Sequence, residues 1–147
     1  DKVGKATTWM IVGSALVLAS HLIITFAPQG VPFYAYIAIA LLGIGYSLVP
    51  SAMWPSVPKI IPMKQLGSAY AIIFYIQNIG LSMVPVLIGW VIEKYSTVES
   101  AAGTTYDYTL PMTIFAVFGL IAIFIAIILK REDAAKHYGL EESNIKK

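Results

Sequence analysis

The chain has 147 residues, of which 58% are hydrophobic and 12% charged, with a net charge of +2 and no cysteine. A soluble domain carries about 25% charged residues, so this composition belongs to a membrane protein. It excludes a disulfide scaffold and thiolate metal sites, and the small net charge gives no footprint for nucleic acid.

Four stretches without charge follow one another at 6–27, 31–58, 67–92 and 108–129. Each reaches the roughly 20 residues that a helix needs to cross the hydrocarbon core. The runs lack the alternating polarity of a barrel, and lipid offers no partner for free backbone groups, so each is predicted to be a transmembrane helix. They are called A, B, C and D. The fold class expected is an all-α membrane protein.

Helix A is apolar, with Ala15 and Ala19 four apart for close packing, and carries His21, the one titratable group well inside a span. A proton-coupling role and a local hydrogen bond are both open to His21. Helix B is interrupted by Pro50, Pro55 and Pro58, and helix C by Pro85. Each proline frees a carbonyl that needs a partner in protein or water. B also carries Gly43, Ser47 and Ser51 at a spacing that admits a neighbouring helix. On C, Tyr70, Phe74, Gln77 and Asn78 share one face at about 100° per residue. Helix D is apolar all round. A and D are therefore expected outside, and B and C against a bundle interior or a wet cavity.

Gln77 and Asn78 either meet a polar solute in a central pathway or bridge to a neighbouring helix. Tyr46, Trp54, Tyr70 and Phe74 are candidates for lining the same pathway, with plain packing as the alternative. Pro50 is either a hinge or a static kink. No zinc spacing, nucleophile elbow or phosphate loop is present, which speaks against an enzyme and against a bound metal or cofactor.

Lysines alternate between rich and poor connections. Lys2 and Lys5 precede A, Lys59 and Lys64 join B to C, and Lys130 and Arg131 follow D. The A–B and C–D loops are uncharged or acidic. The positive-inside rule then places both termini in the cytoplasm. The tail, 130–147, is expected to be solvated, with a short surface helix stopped at Gly139.

The opening "DKVGK" resembles the second half of the loop motif G-x-x-x-D-R-x-G-R-[RK] of the major facilitator superfamily. Asp1, Gly4 and Lys5 fit, and Lys2 stands for the usual Arg. In that family the motif joins helices 2 and 3, with a weaker copy between helices 8 and 9. Residues 53–93 are also similar to the branch containing lysosomal dipeptide carriers, through Trp54-Pro55, "QLGSAY" at 65–70 and "IQNIGL" at 76–81. The resemblance implies that A–D are helices 9–12 of a twelve-helix transporter. Residues 1–5 would be the loop-motif remnant, 6–129 the membrane region and 130–147 the tail. It implies peripheral helices 9 and 12, a helix 10 lining the central pathway and a helix 11 bordering it. It further implies a small polar organic solute such as a dipeptide, alternating access, and eight further helices as partners within the bilayer. Short loops suggest a bacterial plasma membrane. A standalone four-helix scaffold that binds other membrane proteins is the rival reading.

Overall fold

The computed structural model describes residues 4–28, 31–100 and 103–143. Asp1, one of the three motif residues, lies outside them. Four helical spans are long and apolar enough to cross a membrane: Ala6–Phe26, Pro32–Ile60, Met63–Ser96 and Thr109–Lys136. The first is α1 (Ala6–Phe26). The second is α2 (Pro32–Met53), a 3-10 turn at Trp54–Ser56 and the short α3 (Val57–Ile60). The third is α4 (Leu66–Val91), entered through a 3-10 turn and ended by a π turn at Ile92–Ser96. The fourth is α5 (Thr109–Lys136). Pro32 opens α2, where a missing N–H costs nothing.

Helix α1 lies between α2 and α5 and packs on both. The α1–α2 seam is antiparallel and built from small residues seven apart. Gly13 meets Gly45, and one helical repeat away the Ser20 hydroxyl donates to the Ala38 carbonyl at 2.7 Å. A Cβ on Gly45 would stand 2.6 Å from the Gly13 carbonyl, and one on Gly13 would stand 2.9 Å from the Gly45 carbonyl. Between helices in lipid, where no water is released by contact, such close backbone approach supplies the van der Waals energy of association. On the other side of α1, Gly119 of α5 faces Leu18. A Cβ there would sit 3.1 Å from the Leu18 Cβ. Ala116, Gly119 and Ala126 form the buried stripe of α5.

Within this chain taken alone, helix A, expected at the outside of a bundle, is the one packed on two sides. Helix α4, expected against a bundle interior or a wet cavity, touches α3 and α5 sparsely, and no residue of its apolar stretch is buried by this chain. The small residues that make the α1–α2 seam are not the ones the spacing singled out. Ala15 is exposed, Gly43 has open space around it, and Ser47 and Ser51 are exposed and donate back to the carbonyls of Gly43 and Ser47. Small-residue spacing marks a face able to pack, but two such faces existed on each helix, and only shape in three dimensions chose between them.

The C–D connection, unassigned in the sequence, forms an antiparallel hairpin of β1 (Thr97–Ser100) and β2 (Gly103–Tyr106), with Thr97 opposite Tyr106. Asp107 then accepts the backbone N–H of Thr109 at 2.9 Å, satisfying one of the orphan donors at the start of α5.

The tail is docked in part: Asp133 and Leu140 are buried, while residues 131, 132, 134–137 and 142 remain exposed. α5 runs on past the membrane stretch to Lys136, and the chain reverses through His137 and Gly139, both at positive φ. Leu140 is fully buried, and its N–H is held by the Asp133 carboxylate at 3.0 Å. The chain then docks on the start of α1. Lys5 and Ala6 donate their backbone N–H groups to the carbonyls of Glu141 and Leu140, at 3.1 and 3.0 Å. α1 has no acidic residue in its own first turn and no capping side chain of its own. Glu141 supplies both from the far end of the sequence. Its carboxylate accepts the Thr7 hydroxyl, the Thr8 N–H at 3.1 Å and the Thr8 hydroxyl at 2.9 Å. A carboxylate at this position satisfies orphan amides and complements the positive end of the helix dipole.

Two expectations follow. Gly45→Ala should destabilise the fold by about 1–3 kcal/mol through backbone overpacking, whereas Gly43→Ala, facing open space, should cost little. Thermal unfolding of the two variants in detergent separates them. Burial raises the Glu141 carboxyl, but the Thr7 and Thr8 hydroxyls, the Thr8 N–H and nearby Lys130 outweigh it and hold the group below the ordinary carboxylate range. A depressed value means that docking gains stability above the ordinary range and loses it as the pH falls through the lowered one. Amide exchange at Lys5 and Ala6 should therefore accelerate on acidification, and Glu141→Gln should remove most of that pH dependence.

Candidate functional site

Helix α2 turns Ala38 and Gly45 into α1. Its opposite side carries Tyr36, 71% exposed, and Tyr46, 69% exposed, with Gly43 and Ser47 beside them. Pro50 sits further along, half-buried inside the helix. It leaves the Tyr46 carbonyl without its helical donor, as Pro85 does for Leu81 in α4.

Where α2 passes into its 3-10 turn, Trp54 reaches α4. Its ring stacks on Phe74 at 4.9 Å between centroids and lies 5.7 Å from the Tyr70 ring. The Tyr70 hydroxyl donates to the Trp54 carbonyl at 3.2 Å. Three of the seven pathway candidates thus form one aromatic cluster, which joins the second and third spans at the end where Lys59 lies. The Tyr70 bond also meets a carbonyl at a place where Pro55 and Pro58 interrupt the regular ladder.

Gln77 and Asn78 follow one turn beyond Phe74, both exposed. The Asn78 amide donates to the Phe74 carbonyl of its own helix at 2.7 Å. Gln77 makes no hydrogen bond among the described residues. Neither bridges to another helix of this chain. Tyr46 stays apart from this group, on the exposed side of α2.

His21 stacks on Phe115 of α5 at 5.2 Å, and its Nδ1 is buried without a hydrogen-bond partner. It belongs to the α1–α5 contact, away from the exposed face of α4. Lys94 lies over the rings of Trp90 and Tyr95, at 5.1 and 5.4 Å from their centroids, as a cation–π anchor at the opposite end of α4.

The motif residues Gly4 and Lys5 both adopt positive φ, +67° and +59°. Glycine at position 4 is required twice over, because a Cβ would stand 2.7 Å from backbone atoms of Glu141, Glu142 and Ser143. Lys59 reaches the same segment and donates to the carbonyls of Gly139 and Glu142 at 2.8 and 3.0 Å. Lys130 donates to the Thr8 hydroxyl at 2.7 Å and lies 3.8 Å from Glu141. From the sequence Lys59 and Lys130 were read only as charges that set the orientation, and Glu141 was not singled out. A glutamate in a polar tail carries no local signal of its partner 134 residues away.

Trp54→Ala should cost about 1–3 kcal/mol from the two ring contacts, and Tyr70→Phe about 1 kcal/mol from the lost hydrogen bond. Melting of the single and double variants gives the coupling between the two positions, which should be non-zero because they touch.

The family model of the Major Facilitator Superfamily matches residues 1–144. Among curated proteins, the chain is 37% identical over 94 residues to the lysosomal dipeptide transporter MFSD1 of Homo sapiens. It is 39% identical over 94 residues to that of Mus musculus and 35% identical over 93 residues to that of Danio rerio. The matched segments are 64%, 64% and 63% of this chain, and 19% of each of the three relatives. No solved structure matches it. With four apolar spans and a family match over nearly its whole length, the chain belongs to the Major Facilitator Superfamily, a family of membrane transporters.

Proposed function

We propose that these four helices serve as helices 9–12 of a twelve-helix transporter that moves a small polar organic solute, a dipeptide or a close analogue, by alternating access. The carrying observation is the exposed polar and aromatic face of α4. Gln77 and Asn78 stand on a membrane-spanning helix with no other helix of this chain over them. An unpaired carboxamide in hydrocarbon costs several kcal/mol, so this face is meant for water, solute or protein. The relatives with which the chain shares more than a third of its aligned residues are named as dipeptide transporters, which supports the solute class. A dipeptide offers N–H and C=O groups that a carboxamide meets from either side.

In this reading Gln77 and Asn78 contact solute near the midplane. Trp54, Tyr70 and Phe74 close the pathway at the Lys59 end, and Tyr46 lines it from α2. Solute near the midplane between two repeats, with access alternating as they rock, is the general scheme of such folds. The end that gathers Lys5, Lys59 and Lys130 faces the cytoplasm by the positive-inside rule. Short loops favour a bacterial plasma membrane, and the relatives are named for the lysosome. Fractionation of the source cells distinguishes the two.

The test is uptake of a dipeptide panel into proteoliposomes by the transporter that contains this chain. Gln77→Leu should raise KM about tenfold, equivalent to about 1.4 kcal/mol, with an unchanged melting temperature. A lowered melting temperature at unchanged KM would assign Gln77 to helix packing instead. The 147-residue chain alone should insert without transporting, and saturable uptake by it would overturn the reading.

A further inference from the structure

The docked tail holds two neighbours in different ways. Toward α1 it is tied by backbone. Lys5 and Ala6 donate to Glu141 and Leu140, and Gly4 leaves no room for a side chain between the two segments. Leu140, fully buried, anchors the turn, and the Glu141 carboxylate sits among the Thr7 and Thr8 donors. Toward the second span, the Lys59 ammonium donates to the Gly139 and Glu142 carbonyls. One half of this contact is a built joint. In the other, the grip of Lys59 comes through the tip of a flexible, partly exposed side chain.

Lys59 stands at a mechanically weak place. Four prolines, at positions 50, 55, 58 and 62, fall within thirteen residues around it, and the regular helix gives way to a 3-10 turn at Trp54–Ser56. Proline removes ladder hydrogen bonds, and 3-10 segments within helices often mark hinges. Beyond this segment lies α4, joined to it through Trp54, Tyr70 and Phe74 and sparsely packed elsewhere. Movement of 54–62 is therefore transmitted to the start of α4.

We propose that the tail segment 137–143 is a latch: fixed to α1, it grips the proline-broken end of the second span through Lys59, and it releases Lys59 once in each transport cycle. The latch rests on the transporter reading for its role in a cycle, while its mechanical half stands on these contacts alone. In the closed state, which the structure shows, α1, α3 and the end of α5 form one body. In the open state α3 and the start of α4 move free of the tail.

The mechanical half is tested without any solute. In the full transporter, Lys59→Met should speed amide exchange at Ile61 and Gln65, whose N–H groups bond to Val57 and Pro62 within the released segment, by about tenfold or more. Lys5 and Ala6 should keep their protection. Unchanged exchange at Ile61 and Gln65 would overturn the latch. The cycle half is tested by joining Lys59→Cys and Glu142→Cys with a reducible bis-methanethiosulfonate of about lysine length, using each single cysteine as control. Bridging should reduce dipeptide uptake at least tenfold, and reduction should restore it. Uptake at the unbridged rate by fully bridged protein would show a static staple and refute release. If the unbridged pair fails to transport, the exchange result on Lys59→Met decides by itself. If no dipeptide is transported by the wild type, the solute assignment fails while the exchange result still stands or falls on its own.

Discussion

The crossing of α1 and α2 at Gly13 and Gly45 sets the geometry on which the other contacts depend. In a bilayer, burial of apolar surface between helices gains little, since lipid is as apolar as leucine. What remains is shape. Two glycines that let backbone reach backbone, and a Ser20 hydroxyl that bonds the Ala38 carbonyl, bring α2 within reach of α1 along its length. Gly119 does the same for α5 on the other flank. With α1 held on both sides, its first turn lies beside the end of α5, and the tail can cap it.

That central position leaves α4 only sparsely covered by the other spans. Its exposed face joins aliphatic residues to Phe74, Gln77 and Asn78, a mixture suited neither to lipid nor to a dry core. The chain spans about a fifth of the curated relatives it matches, and a transporter of this family works through helices on both sides of its pathway. An uncovered, partly polar face on the third span fits that division of labour. The aromatic cluster at Trp54 gives this face a defined edge at the lysine-bearing end.

The same end holds the longest-range polar contacts among the described residues. A helix start with no cap of its own is completed by Glu141, and Lys59 of α3 donates to tail carbonyls. Surface ion pairs of this kind contribute little alone, and the 3.8 Å Lys130–Glu141 pair is one such. The weight falls on the hydrogen bonds to backbone and on Leu140, buried beneath the turn. Reversible polar grip over an apolar anchor is a combination from which a moving part can be made.

Class and span count were legible in the sequence because both are one-dimensional quantities. Charge-free length states whether a helix can cross a membrane, and the described residues hold four helices long and apolar enough to do so. Family was legible because the loop motif at Gly4 and Lys5 and the run through Gln77 and Asn78 are contiguous. Partnership was not legible. Ala15 and Ala19 looked as fit for a seam as Gly13, and Gly43 as fit as Gly45, since periodicity gives a face and not its neighbour. The hairpin at 97–106 and the seat of Glu141 were hidden for a related reason. The residues involved are ordinary locally, and their roles exist only once α1 and α5 are side by side, which brings Thr7 and Glu141 together across 134 positions of sequence. Hydrophobicity is a property of each residue and can be read along the chain. Packing and capping are properties of pairs, and tertiary structure alone chose the pairs.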